Sequence, residues 1–218
     1  LRMSARAVGH KALACNLSDI AAMGGEPVFA VVSLGVPGNL SARYVKDLYA
    51  GMWAVARAYG VSIVGGDTVR SDKVVVNVAL LGEVEKRKLI RRQGARPGDW
   101  IFVSGYLGGS LKSGRHLRFT PRVKEARFLV NNFKPSAMMD LSDGLAGDLA
   151  HILKASCVGA LIEEKLIPCH RGVSVNKAFT DGEDFELLFT MPSARAKKLL
   201  EYEGPEKFQF CPIGVVRP

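Results

Sequence analysis

The stretch RRQGARPGD, from Arg91 to Asp99, most constrains what this chain can fold into. It sets charge, two glycines and a proline between apolar runs, the composition of a junction and not of an element interior. Two domains are expected, residues 1–90 and residues 91–218. Ahead of the junction, apolar positions at helical spacing run from Ala5 to Met23 and stop at Gly24-Gly25, which predicts a helix. Pro27 to Val36 predicts a strand closed by Pro37-Gly38. Ser41 opens a second helix, with Tyr44, Leu48, Met52, Val55, Ala56 and Tyr59 on one face and a stop at Gly60. Strands are expected at Val61–Val64 and Val74–Val84, with GGDT between them.

Beyond the junction the pattern predicts strands at Ile101–Ser104, Ala137–Leu141, Gly159–Ile162, Phe185–Thr190 and Phe208–Val215. Helices are expected at Pro121–Asn132, Leu145–Lys154 and Ser193–Tyr202. Strands and helices do not alternate strictly, so the pattern favours an α+β class with sandwiched layers over a Rossmann sheet.

At 218 residues and 48% hydrophobic, the chain can bury a substantial core. Its longest apolar run, Val74 to Leu81, falls well short of the roughly 20 residues a membrane helix needs, and no secretory signal is read at the start. Cys15, Cys157, Cys169 and Cys211 show neither zinc nor disulfide spacing, so reduced thiols in the cytoplasm are expected. A formal charge of +9 admits nucleic acid as a partner. The one basic run, KRKLIRR from Lys86 to Arg92, has no interleaved aromatics and argues against it.

No GxxxxGK[ST], no GxGxxG after a strand and no protein-kinase motif set is present. Acidic residues set among small ones recur instead: Asn16-Leu-Ser-Asp19, Gly65-Gly-Asp67-Thr68, Asp140-Leu-Ser-Asp143-Gly144 and Gly182-Glu-Asp184. Hard divalent cations take carboxylate oxygens, and magnesium is held by one or two of them together with waters and phosphates. Adjacent glycines let backbone N–H groups approach an anion. Asp140 ends an apolar strand, and Asp143 leads into a helix, where taken alone it reads first as a helix cap. Asp67 fits a tight turn as well as a phosphate loop.

In order and spacing, VGHKALACNLSDIAAMGGEP, GGDT, RxGARPGD, MDLSDGL and DGEDFELLF resemble the thiamine-monophosphate kinase family. That family lies within the aminoimidazole ribonucleotide synthetase-like enzymes. The resemblance implies an N-terminal mixed sheet with helices followed by an α/β sandwich. It implies transfer of the ATP γ-phosphoryl group to the phosphate of thiamine monophosphate, by direct in-line attack and with several magnesium ions. By motif, Asp19, Asp67, Asp140 and Asp143 resemble magnesium ligands, with Asp19 and Asp143 central to catalysis. Tyr49, Gly66, Asp67, Arg92 and Ser142 resemble nucleotide contacts, and Glu183 and Asp184 substrate contacts. Tyr49 reads equally well as a core-facing aromatic. The resemblance also implies a homodimer. Family members begin several dozen residues earlier, end on an aromatic beyond Pro218 and carry a longer loop before GEDFELL, so both domains are expected to lack part of the family's extent.

Overall fold

The computed structural model of the protein describes residues 3–218. Helix α1 (Ala5–Ala22) starts at Ser4, whose Oγ accepts the Ala7 N–H at 3.2 Å. It stops at the expected glycine pair. Gly24, at φ +74°, donates to Ala21 O and Gly25 donates to Ile20 O, the paired bonds of a left-handed cap. Strand β1 (Glu26–Val36) follows, then α2 (Ala42–Ala58), opened by Ser41 as its sequence predicts.

Strands β2 (Ser62–Arg70) and β3 (Val75–Glu83) complete a sheet of order β2-β1-β3, with β1 parallel to β2 and antiparallel to β3. One expectation is corrected here. GGDT does not join two strands; it lies inside β2, where Gly65, Gly66, Asp67 and Thr68 pair with Val31, Val32, Ser33 and Leu34. Pairing with β1 outweighs the turn preference of glycine, and Gly66 is demanded by crowding, since a Cβ there would stand 1.9 Å from Val32 O. The irregularity falls earlier, at Val64, where Ile63 pairs with Ala30 but Gly65 pairs with Val31.

The second half runs β4 (Trp100–Val103), α3 (Ser110–Ser113), α4 (Val123–Asn132), β5 (Ala137–Asp140), α5 (Leu145–Ser156), β6 (Gly159–Ile162), α6 (Val175–Thr180), β7 (Leu187–Met191), α7 (Ser193–Leu200) and β8 (Cys211–Arg217). Its strands form an antiparallel sheet of order β5-β7-β4-β8-β6. Most predicted elements are present, and the mixture is α+β as expected. The short helices α3 and α6 carry too few apolar positions to show a period. Strand β7 begins two residues later than predicted because Phe185 and Glu186 belong to a loop pinned by side chains.

Alternation in the second sheet divides two cores. Phe102, Met138, Leu187, Phe189 and Met191 face α4, α7 and α1, whereas Ile101, Val103, Met139, Leu188 and Ile213 face α5 through Leu145, Leu149 and Ile152. The first core also takes the inner face of β1, Ala30, Val32 and Leu34, so it spans the Arg91–Asp99 junction. Helix α1 is the shared element, packing against α2, β3, α4 and β5. Its buried Leu13 and Leu17 each contribute roughly 1.5–3 kcal/mol by leaving water. It meets α2 backbone to backbone, since a Cβ on Gly9 would stand 1.9 Å from Leu48 O and one on Gly51 2.0 Å from Arg6 O.

Candidate active site

The last two turns of α1 lie against the end of β5. Ser18 is buried, and its hydroxyl donates to Asp140 Oδ2 at 2.6 Å. Burial pushes the Asp140 carboxyl up to about 6; the Ser18 hydrogen bond opposes this and the neighbouring charge of Asp19 adds to it. Asp19 is exposed, and its own carboxyl is raised by partial desolvation against the opposing pull of Arg92. Arg92 is held there by the junction, whose Arg91 O accepts the Met138 N–H of β5 and whose Ile90 N–H donates to Met23 O. Asp19, Arg92, Met139 and Asp140 line one cavity of about 400 Å³.

Past Asp140 the chain forms a loop that a second loop clasps. Leu141 N–H donates to Glu186 O, Phe185 N–H to Leu141 O and Glu183 N–H to Ser142 O, at 2.8, 2.7 and 2.7 Å. Contact is close enough to require glycine on both sides. A Cβ on Gly182 would stand 2.4 Å from Ser142 O, and Gly144, at φ +101°, faces Phe179 O and Asp181 O. Glu183 and Phe185 both take positive φ, 70° and 52°, which side chains rarely adopt.

Asp143 is exposed and leads into α5, but no side-chain hydrogen bond caps that helix, so the capping alternative is not realised. Asp148, one turn into α5 and 1% exposed, instead turns back and accepts the Asp143 N–H at 3.0 Å. Glu183 forms an ion pair with Lys11 of α1, which ties the clasping loop to the helix that carries Asp19. Asp184 is engaged elsewhere. Its Oδ2 accepts the Gly108 N–H at 2.7 Å, and its Oδ1 accepts from Ser110 at 2.8 Å and Arg115 at 3.3 Å, so both oxygens brace the Gly108–Ser110 loop. Glu186 is likewise buried, with Ser104 at 2.6 Å and Arg122 Nε at 2.8 Å.

The structure thus gathers Asp19, Arg92, Asp140, Ser142, Asp143 and Glu183 around the α1–β5 corner. Asp67 and Gly66 lie on the edge strand β2, where Asp67 Oδ1 accepts only the Thr68 N–H, at 2.7 Å. Tyr49 is half-buried against the first core, in keeping with its reading as a packing residue. Among the described residues no three His, Cys, Asp or Glu side chains converge closely enough to hold a metal ion. The donor chemistry still fits a hard cation, since Asp19, Asp140 and Asp143 offer carboxylate oxygens and magnesium needs only one or two of them beside phosphate.

Residues 1–84 match the family described as AIR synthase related protein, N-terminal domain. The chain is 38% identical to the thiamine-monophosphate kinase of Bacillus subtilis (strain 168), over 96% of its own length and 73% of the relative's. It belongs to the thiamine-monophosphate kinase family. The solved thiamine-monophosphate kinase of Stenotrophomonas maltophilia K279a superposes with a TM-score of 0.90 at 30% identity, covering 99% of this chain and 77% of that one. The complex of AaThiL with AMPPCP and TMP superposes at 0.89 and 32% identity, covering 99% and 75%. This member of the family therefore shares their fold across nearly all its length.

Several residues of this corner give no sign of their own role in the sequence. Lys11, Ser18 and Asp148 look like ordinary helix residues in a linear sequence. Only the four-residue spacing of Asp148 behind Gly144 hints at a first-turn acid folding back on its own loop. Glu186 sits within the GEDFELL motif, but its partner Arg122 lies 64 positions away.

Proposed function

We propose that the chain transfers the γ-phosphoryl group of ATP to the phosphate of thiamine monophosphate, giving thiamine diphosphate and ADP. The observation that carries this reading is the clasp of the Asp140–Gly144 loop by the Gly182–Glu186 loop beside Asp19 and Arg92. It brings the carboxylates of Asp19, Asp140, Asp143 and Glu183 together with the cations of Arg92 and Lys11. Relatives named thiamine-monophosphate kinase support the reaction, as does a neighbour whose structure holds both AMPPCP and TMP.

In this reading Arg92 and Ser142 contact the nucleotide phosphates, joined by Gly66 and Asp67 from the first sheet and Tyr49 from α2. Glu183 meets the acceptor, and Asp184 sets the loop that carries it. Asp19, Asp140 and Asp143, with Asp67, would hold magnesium, which when bound cancels the repulsion between two polyanions. The acceptor is already an anionic oxygen, so direct in-line attack needs no general base, and no phosphoenzyme forms. Thiamine diphosphate is measured after incubating the protein with magnesium, ATP and thiamine monophosphate; no product from well-folded protein would refute the assignment.

The same reading includes a homodimer. Phe29, Val75 and Leu81 stand exposed on the outer face of the first sheet, with Val64 on its edge strand, and Leu81 is 61% exposed. An open apolar face of this kind is a surface for a second copy. Sedimentation of the parent and of Leu81→Glu tests it: dimer for the first and monomer for the second are expected, and a monomeric parent would refute it. All four cysteines are free thiols, and no described helix is long and apolar enough to cross a membrane, which suits the cytoplasm.

A further inference from the structure

Asp148 belongs to none of the acidic motifs given a role above, yet it is the most deeply buried acid of the kinase corner. Its Oδ2 accepts the Asp143 N–H at 3.0 Å. On the other side of this short loop, the carbonyls of Leu141 and Ser142 are taken by the N–H groups of Phe185 and Glu183. The peptide planes of residues 141–143 are therefore gripped from both sides. One grip comes from a second backbone, the other from a single carboxylate.

The loop cannot hold itself. Gly144, which follows it, lies at φ +101° and ψ 151°, a conformation open to glycine alone, and α5 has no side-chain cap of its own. An acid in the first turn of a helix can reach back to N–H groups ahead of it, as in a capping box. Asp148 does so across the residues that carry Ser142 Oγ and the Asp143 carboxylate.

We propose that Asp148 is a positioning residue for phosphoryl transfer: by accepting the Asp143 N–H it fixes the loop that aims the Ser142 and Asp143 side chains toward the nucleotide phosphates. The proposal rests on the assignment of the Asp140–Gly144 loop to the kinase site. What it requires of residue 148 is a hydrogen-bond acceptor of that length, and not a negative charge. Asparagine satisfies the requirement; alanine does not.

The test compares Asp148→Ala and Asp148→Asn, reading kcat and KM for ATP separately and amide hydrogen exchange at Asp143. Asp148→Ala is expected to lower kcat about 10–100-fold, the usual cost of losing a supporting partner of a ligand residue. The Asp143 amide should exchange rapidly while those of β5 and β7 stay protected. Asp148→Asn is expected to recover most of the turnover and the protection. Normal protection in Asp148→Ala overturns the proposal. So does an Asp148→Asn protein as slow as Asp148→Ala with its Asp143 amide protected, because charge and not geometry would then be at stake. If Asp148→Ala does not fold, Asp148→Ser, too short to reach the Asp143 N–H, carries the same expectation. If the parent itself makes no thiamine diphosphate, the kinase assignment fails, and the exchange contrast still decides what Asp148 does.

Discussion

The two acidic loops on either side of the junction are held in opposite ways. Asp140, Ser142 and Asp143 sit on a loop fixed by backbone pairing, by Ser18 and by Asp148, with β5 and α5 buried behind it. Asp67 sits on an exposed edge strand, its carboxylate meeting only the next residue's N–H. The second half holds its acidic loop in finished form, whereas the first presents a rigid backbone with a free side chain. In kinase terms, one wall is preorganised and the other is completed by what binds to it.

The largest expected effect is on chemistry. Asp143→Asn removes a charge from an exposed side chain that caps nothing, so turnover should fall at least ~100-fold while stability stays within ~0.5 kcal/mol. Steady-state kinetics beside a thermal melt reads both, and activity within a few-fold of the parent would dissolve the distinction between the two walls. Next is Arg122→Ala, which strands the buried Glu186 without its guanidinium partner. It should cost about 3–5 kcal/mol and lower the melting temperature by roughly 10 °C. A shift of a degree or two would mean that the clasping loop is not braced from below.

Gly66→Ala probes the first wall in the same currency. Its Cβ would meet Val32 O at 1.9 Å, so β2 must lift from β1 at a cost of about 1–3 kcal/mol. Asp67→Asn, one residue on, should change stability by less than ~0.5 kcal/mol because the side chain holds up nothing but Thr68 N–H. Its turnover should nevertheless drop if Asp67 helps to hold magnesium. A neighbouring pair with opposite profiles in melting and turnover is what a rigid backbone with a free side chain requires.

How much of this was legible in the chain follows from the range of the forces involved. Helices α1 and α2 are readable to within a residue or so because Gly24, Ser41 and Gly60 are local signals acting within one turn. GGDT was misplaced between strands because its partner β1 lies some thirty residues away, and no local rule anticipates a strand that tolerates two glycines by close pairing. Asp140 stood out as a carboxylate at a buried strand end. Asp184 was read by motif as a substrate contact, whereas its three donors come from Gly108, Ser110 and Arg115, about 70 positions earlier. Acidic residues advertise themselves in sequence; whether each one faces a ligand or braces a loop is decided by contacts that sequence separation hides.

The smallest effect asks to which wall α1 belongs. Cys15 lies on α1 between Lys11 and Asp19, and burial pushes its thiol up to about 12, with Lys11 opposing and Glu183, Asp140 and Asp19 adding to the rise. A raised thiol pKa favours the protonated, unreactive form at every pH below that value. At pH 8, iodoacetamide should therefore modify the exposed Cys157 readily and leave Cys15 intact, as peptide mass mapping would record. Raising the pH to 9 should change little at Cys15. Equal labelling of the two would mean that the Lys11–Glu183 pair opens freely and that the α1 face is as bare as β2. Slow labelling that accelerates in Glu183→Gln would instead locate the restraint in that ion pair, since the substitution frees Lys11 to stabilise the thiolate and loosens the loop at its only side-chain tie to α1.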